Sequence, residues 1–241
     1  MTENFNELLQ EVQKDIQQEK LVSIWNKYQK YFFYAIGILF IVFFGVNKYV
    51  ENQQHEKIYI SDKYLQAQEY LAVKQTEKAL KILETIAQKD SKAYHALARL
   101  LEAKVFVDKG SDDFKKGQKI LQDLYSDHKN DAFFRSFSKA VYLNNEIEMI
   151  TRGQDPEKIS EDTKVALRAL LSIVSESISD TTPLKIMFLE IKGLILVLLD
   201  QQEDALNEFL AIAQTSQCPR GLKLRAELMI EKIKTHIKNL A

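Results

Sequence analysis

Two stretches of the chain carry one pattern, YLAVKQTEKALKILETI at residues 70–86 and LILVLLDQQEDALNEFLAI at residues 194–212. Each stretch starts with an apolar segment, passes through a short polar turn, and continues with charged residues, an alanine and regularly spaced apolar residues. Apolar residues three or four positions apart predict a helix with one buried face. The chain therefore contains the same helical hairpin at least twice.

Small residues mark where the two helices of each hairpin are expected to cross. Twelve positions separate Ala67 from Ala79, and twelve separate Gly193 from Ala205. The distance between two packed helices depends on the side chains at their contact, so small residues allow a close approach. The matching spacing predicts the same crossing in both hairpins.

Weaker versions of the pattern lie between these two copies. One has Ala98 in its first helix and Gly117 in its second, and this spacing of nineteen predicts a longer connection. Another, near 133–150 and 165–178, departs further from the pattern. Thr182 before Pro183 predicts an N-cap followed by proline at the first helical position.

The pattern resembles the tetratricopeptide repeat, a 34-residue helical hairpin. The residues expected to pack the repeats together are Ala67, Tyr70, Ala79, Leu83, Gly193, Ala205 and Phe209. The tryptophan and the helix-ending proline of the repeat consensus are missing from both copies. The alternative interpretation is a general helical bundle in which the alanines and leucines are simply core.

The remaining sequence also favours helices. Glycine and proline together make up ten of the 241 residues, well below the roughly 12% of average proteins. We predict an all-α fold, a single N-terminal transmembrane helix followed by a tetratricopeptide-like α-solenoid of about four hairpins and a C-terminal capping helix. The predicted helices after the membrane segment are 53–74, 76–89, 91–109, 112–127, 131–150, 161–178, 183–199, 202–215 and 219–239.

The membrane segment is predicted from residues 31–46, which carry no charge. Extended to 28–50, a helix would span roughly 35 Å, enough to cross the ~30 Å hydrocarbon core. The predicted organisation is an amphipathic arm at 1–27, a transmembrane helix at 28–50 and a repeat domain at 51–241. A cleaved signal peptide and a buried core helix are the alternatives, but no Ala-x-Ala site follows and no polar stripe interrupts the segment.

Charge patterning suggests an orientation. Four lysines precede the membrane segment and three follow it within about 20 residues, a weak positive-inside bias toward a cytoplasmic N-terminus. The domain that follows would then be exported. Acidic residues on the arm disfavour binding to anionic lipid and favour docking on a partner or on a second copy.

No catalytic or ligand-binding motif is found. The 33 basic and 34 acidic residues nearly cancel, which gives no broad footprint for nucleic acid. The four histidines are far apart, and Cys218 is the only cysteine. We predict no enzyme, catalytic residue, cofactor, metal site or small-molecule substrate.

The layout of arm, membrane helix and repeat domain resembles the bacterial YfgM-like family. That resemblance implies an inner-membrane protein with a periplasmic domain, an accessory of the SecYEG translocon that recruits periplasmic chaperones or emerging chains. By analogy with the concave face of such repeats, the candidate peptide groove comprises Tyr64, Gln68, His95, Arg99, Glu190 and Leu194. The alternative function is an envelope assembly or division protein that self-associates or binds a cytoplasmic partner through its arm.

Overall fold

A computed structural model describes residues 55–89, 91–155, 158–216 and 218–240. The predicted arm and the predicted membrane helix at 28–50 lie outside these segments. Within them, none of the helices combines the length and the apolarity that crossing a membrane requires. All regular secondary structure in the described segments is α-helical, which confirms the predicted fold class for this part of the chain.

The helix ends lie close to those predicted from the sequence. Every predicted end that falls on a described residue is within two positions of the observed end. The helices are α1 (55–72), α2 (Thr76–Ala87), α3 (Lys92–Lys109), α4 (Ser111–Ser126), α5 (Ala132–Thr151), α6 (Glu161–Ser177), α7 (Lys185–Leu198), α8 (Gln202–Gln214) and α9 (Arg220–Leu240).

A division of the chain after Tyr59 leaves Ile60–Ala241 as one compact unit. Of the part before it, the structure describes only the start of α1. Within the unit, helices from α2 onward pack mainly on their neighbours in the chain, most extensively α3 on α4, α7 on α8 and α8 on α9. Packing of each helix on the next is the arrangement of a helical solenoid.

The core is a series of apolar clusters rather than one centre. The first joins α1, α2 and α3, the second joins α3, α4 and α5, the third joins α5, α6 and α7, and the last joins α7, α8 and α9. The fully buried large side chains include Leu83, Leu121, Leu167 and Phe209, one in each cluster. Stability is therefore distributed along the stack, as nearest-neighbour packing predicts.

The α1/α2 and α7/α8 hairpins share one turn. Lys74 and Asp200 both adopt a left-handed backbone, with φ of 59° and 62°. Each lies five positions before the small residue of its second helix, Ala79 or Ala205. A left-handed residue just past a helix reverses the chain and satisfies its last carbonyls.

The hydrogen bonds of the two turns match pair for pair. In both hairpins, one amide donates to the carbonyl five positions back and its predecessor donates to the carbonyl three positions back, the pattern of a Schellman motif. The N···O distances are 2.8 Å (Gln75 to Tyr70), 3.0 Å (Lys74 to Leu71), 2.9 Å (Gln201 to Leu196) and 3.0 Å (Asp200 to Val197).

The helix crossings differ in how they are filled. A Cβ added to Gly193 would lie 2.8 Å from the Phe209 ring, closer than real Cβ contacts come. In the earlier hairpin Ala67 stands in the place of the glycine, Leu83 stands in the place of the phenylalanine, and both are fully buried. A larger residue on one helix is thus matched by a smaller one on the other.

The expectation of a longer connection between α3 and α4 is wrong. Only Gly110, with a φ of 71°, separates the two helices. A Cβ on Gly117 would meet the backbone oxygen of Ala103 at 2.7 Å, so Ala103 is the residue at this close approach. Ala98 instead packs with the α1/α2 cluster. The additional residues extend α3 rather than the loop.

The predicted start of α7 is also displaced. The helix begins at Lys185, and Thr182 does not cap it. The Thr182 hydroxyl donates to the Ser177 carbonyl at 3.0 Å and accepts from the Ser179 amide at 3.0 Å. These bonds hold the α6–α7 loop, because a threonine side chain can satisfy backbone groups in a turn as well as at a helix end.

Candidate protein-binding grooves

A groove of about 360 Å³ opens where the end of α2 meets α3 and α4. We call it the α2–α4 groove. It contains two of the six candidate groove residues, His95 and Arg99. Its full lining is Glu84, Ala87, Gln88, His95, Arg99, Asp123, Leu124, Asp127 and Asn130.

The histidine and the arginine of this groove are held in place. His95 Nδ1 lies 2.6 Å from the Ala87 carbonyl oxygen. A carbonyl only accepts, so Nδ1 is the nitrogen that carries the proton. Arg99 donates to a Glu102 carboxylate oxygen at 2.7 Å, an i to i+3 pair on α3. Fixed side chains lose little conformational freedom when a partner binds.

Carboxylates outnumber cations in the lining. Glu84, Asp123 and Asp127 face the groove, against the single arginine. The Asp127 carboxylate accepts from the Lys129 amide, which fixes it at the end of α4. An acidic groove of this size is complementary to a peptide segment with a lysine or arginine side chain.

A second groove, of about 470 Å³, lies between α4 and α5. Its lining comprises Phe114, Lys115, Gln118, Lys119, Gln122, Asp123, Ser126, Tyr142 and Glu146. Asp123 also lines the α2–α4 groove, so the two grooves adjoin along α4. We call this second surface the α4–α5 groove.

Gln118 organises the α4–α5 groove. Only 6% of this residue is exposed. Its Nε2 donates to Glu146 Oε1 at 2.5 Å and to the Tyr142 carbonyl at 3.2 Å, and its Oε1 accepts from Asn145 Nδ2 at 3.1 Å. A buried amide with these partners is well satisfied. The network therefore fixes the register of α4 on α5 and orients the Glu146 carboxylate.

Two tyrosines stand beside that carboxylate. The Tyr125 and Tyr142 rings contact edge to face, with centroids 5.5 Å apart. Burial raises the pKa of both hydroxyls, and the negative charge of Glu146 raises each further. Both hydroxyls thus remain protonated at neutral pH and keep a proton to donate.

The other four candidate residues line neither groove. The Tyr64 ring packs edge to face on Tyr94 at a centroid distance of 6.3 Å. Burial raises the Tyr64 pKa, and a side-chain hydrogen bond with Gln68 partly offsets the rise. The Tyr64 ring is thus part of the α1–α3 packing, and the exposed Gln68 bonds to its hydroxyl.

Glu190 and Leu194 are contacted by the last helices. Arg225 of α9 donates to both Glu190 carboxylate oxygens, at 2.7 and 3.0 Å. This hydrogen bonding raises the pKa of the Arg225 guanidinium. Leu194 packs on the apolar cluster of α7, α8 and α9. The capping helix therefore occupies the face that carries Glu190.

Sequence reasoning missed the polar residues that α4 and α5 contribute to these grooves. Asp123, Gln118 and Glu146 read as ordinary charged or polar helix residues. One signal was available, because Gln118 interrupts the apolar spacing between Phe114 and Leu121 on α4. A polar residue within an apolar stripe indicates a buried hydrogen-bond network.

Residues 23–137 match the family described as a tetratricopeptide repeat-like domain. The matched segment runs from before the apolar stretch at 31–46 into α5. No curated protein and no solved structure matches the chain significantly. A tetratricopeptide repeat-like domain thus spans residues 23–137, and stacked helices continue after it through α9.

Helical-repeat domains of this class generally act as scaffolds that bind protein segments on their surfaces. Both grooves have most of their lining within the matched region. In the described part of the chain, no three His, Cys, Asp or Glu side chains converge as metal ligands would. The geometry thus supports a protein-interaction domain.

Proposed function

We propose that this protein is a membrane-anchored interaction scaffold whose α2–α4 groove binds a basic segment of a protein partner. The observation that carries the proposal is the position of His95 and Arg99 in a groove within the tetratricopeptide repeat-like region. The groove holds a fixed histidine, and three carboxylates stand against one arginine. Such a surface recognises a protein segment by its charge and its shape and catalyses no reaction.

The anchor in this proposal is the helix expected at 28–50. Its uncharged stretch, 31–46, falls within the segment that matches the repeat family. This match supports an anchor that belongs with the repeat domain. A tether confines the domain to one membrane surface and raises the effective concentration of its partners there. In this proposal the repeat domain lies in the periplasm of a bacterial inner-membrane protein, an orientation that the lysine bias supports.

The resemblance to the YfgM-like family supplies the partners. In this proposal the scaffold stands beside the SecYEG translocon and recruits periplasmic chaperones or emerging chains. An emerging chain is unfolded and presents extended segments, which suits a groove that accepts a short peptide.

Site-specific photocrosslinking in membranes tests the proposal. A photoreactive residue at Gln88, inside the α2–α4 groove, should capture translocon or chaperone peptides identified by mass spectrometry. Lys104 provides the matched control, because it lies about half a helical turn around α3 from His95 and is exposed. Equal capture at both positions, or capture of neither class of partner, would contradict the proposal.

The charge of the groove gives a second test. Asp123→Asn and Asp127→Asn should each lower the yield of crosslinks from Gln88, since removing a carboxylate weakens attraction to a basic segment. Asp108→Asn is the control, because Asp108 is exposed and pairs with Lys104 outside the groove. An unchanged yield in both groove variants would exclude charge recognition there.

The native Cys218 tests the orientation. It is half-buried, with Sγ 3.6 Å from the Pro219 carbonyl oxygen, and it is the only thiol of the chain. In spheroplasts, a membrane-impermeant maleimide should label it as fully as it does after the membrane is opened with a mild, non-denaturing detergent. Labelling that requires the membrane to be opened would place the domain in the cytoplasm.

Deleting Thr2–Glu19 separates this function from the alternative. The groove hypothesis predicts unchanged crosslinking from Gln88, because the binding residues lie on α2, α3 and α4. Loss of capture after the deletion would favour an assembly or division protein that acts through its arm.

A further inference from the structure

A third cavity, of about 390 Å³, lies on another part of the repeat domain. It is bounded by the end of α4, the first half of α5, the α6–α7 loop and the start of α7. We call it the α5 pocket. Its lining comprises Tyr125, Ala132, Arg135, Ser136, Lys139, Ser177, Thr181, Thr182, Pro183 and Phe188.

The charged residues of this lining are all positive. The lining holds two cations and four aliphatic hydroxyl groups, and none of the described residues that form it is Asp or Glu. Arg135 and Lys139 are four positions apart on α5, where like charges destabilise a helix. That repulsion is relieved when an anion lies between the two cations.

Neither cation has a carboxylate partner within ion-pair distance in the described segments. Arg135 Nη1 lies 2.9 Å from His128 Nδ1, and since a guanidinium only donates, that histidine nitrogen accepts and carries no proton. Arg135 Nε is buried without a hydrogen-bond partner. The guanidinium is thus positioned by a ring nitrogen and not by a carboxylate.

Lys139 is held partly out of water. Its ammonium lies 6.0 Å from the centre of the Tyr125 ring. Burial lowers the Lys139 pKa, and the charge of Glu176 on α6 partly offsets this. Glu176 accepts from Ser172 at 3.1 Å and is not part of the pocket lining. A half-buried ammonium without a close counterion is a favourable place for an anion.

The hydroxyl side of the pocket is pre-formed. Thr182 bonds to Ser177 and Ser179, and the Thr181 hydroxyl lies 3.3 Å from that of Ser179. These bonds fix the loop opposite the two cations. The Ser177 and Thr182 hydroxyls donate their protons to backbone carbonyls, so Ser136 and Thr181 are the lining hydroxyls with a proton to offer an anion. Together with the two cations they match a group with three or more acceptor oxygens and about two negative charges.

We propose that the α5 pocket binds a phosphoryl group, held by the Arg135 and Lys139 cations and by the hydroxyls of Ser136 and Thr181. A phosphoryl monoester carries −1.5 to −2 charges at neutral pH and matches the two cations. A single carboxylate would leave one cation unpaired. The source of the group is either free phosphate or a phospholipid headgroup, and both present the same oxygens.

The test uses the full chain in neutral detergent micelles and two soluble probes. Calorimetric titration with inorganic phosphate, and separately with dihexanoyl phosphatidic acid, should give saturable binding to one or both. Dihexanoyl phosphatidylcholine is the reference for the lipid arm, because its phosphate carries a compensating cation. Binding of phosphate alone identifies a free-anion site, and stronger binding of phosphatidic acid identifies a headgroup site.

Lys139→Gln should weaken binding of the effective probe about tenfold, the effect of losing one charge-assisted interaction. Lys164→Gln is the matched control, because Lys164 is a half-buried helix lysine that already pairs with Glu161 at 2.8 Å. Without a probe, Lys139→Gln should be at least as stable as the parent, since it removes the repulsion with Arg135.

Arg135→Lys provides a second variant that keeps the charge but removes the planar guanidinium, and it should weaken binding by a smaller factor. The proposal is overturned if neither probe binds saturably. It is overturned equally if Lys139→Gln and Lys164→Gln bind the probe with the same affinity as the parent chain.

Discussion

The α7/α8 hairpin and the α3/α4 hairpin both bring two helices into close contact, but they differ in the turn residue and in the position of the small residue. In the first, a left-handed Asp200 forms the turn and the small residue Ala205 follows five positions later. In the second, Gly110 forms the turn and Gly117 follows seven positions later. The close contact therefore lies farther from the turn in the α3/α4 hairpin than in the α7/α8 hairpin. As a result, different residues of the first helix face it.

The partners at these contacts differ in kind. Gly193 faces the ring of Phe209, a side chain that can move or be replaced. Gly117 faces the backbone oxygen of Ala103 and atoms of Val107. A mutation can shorten a side chain but cannot remove a backbone atom. The α3/α4 crossing should therefore tolerate a larger residue least.

The largest effect is expected from Gly117→Ala. The new Cβ would meet backbone at 2.7 Å, so the helices must separate, which should lower the free energy of unfolding by about 2–3 kcal/mol even though alanine favours a helix. Urea denaturation followed by circular dichroism measures this. Gly221→Ala on α9 is the control and should be neutral or stabilising, because nothing lies within 4 Å of its Cβ. Equal effects at both glycines would refute the close contact.

A smaller loss, of about 1–2 kcal/mol, is expected from Gly193→Ala, because its clash is with the Phe209 ring. Phe209→Leu should restore room for the methyl group and recreate the alanine and leucine pair of the α1/α2 hairpin. The double variant should then be more stable than the sum of the two single changes predicts. Strict additivity in this double-mutant cycle would show that the two crossings are not equivalent.

The shared turn can be tested with glycine. Lys74→Gly should raise the free energy of unfolding by about 1 kcal/mol, because a left-handed backbone strains a residue with a Cβ. Asp200→Gly should give a smaller rise, since aspartate tolerates this conformation better than lysine. Thermal unfolding of both variants measures the difference. Destabilisation by both would contradict the common geometry.

The smallest effect concerns the capping helix. Arg225→Met should remove the paired hydrogen bonds to Glu190 and lower stability by about 0.5 kcal/mol, because Arg225 is largely exposed and water screens the pair. The loss should shrink at high salt. A salt-independent loss in denaturation curves would instead indicate that the arginine stem acts through packing.

The sequence predicted the helices well for local reasons. Apolar spacing, Gly110 and the polar turns at Lys74 and Asp200 are all encoded within a few residues. One error arose where the role of a residue depended on distant partners. Ala98 was assigned to the crossing with Gly117, yet it packs on the α1/α2 cluster, and Ala103 makes the contact.

The candidate grooves were predicted only in part. His95 and Arg99 were chosen by repeat position and do line a groove, whereas Glu190 is bound by Arg225 of the capping helix. That pair spans 35 positions. No local pattern indicates which of many charged residues will meet across such a distance, because surface charge by itself does not specify a partner.

The sequence by itself determined an all-α repeat domain, the positions of its helices and the two equivalent hairpins, because helix periodicity and turn chemistry are local. Only the tertiary structure decided which polar groups come together: Asp123 with His95 in one groove, Gln118 with Glu146 in the next, and Arg135 with the α6–α7 loop in the third. The physical reason is that the surroundings of a side chain, and hence its charge balance and hydrogen bonds, are set by helices that are distant in sequence but packed in space.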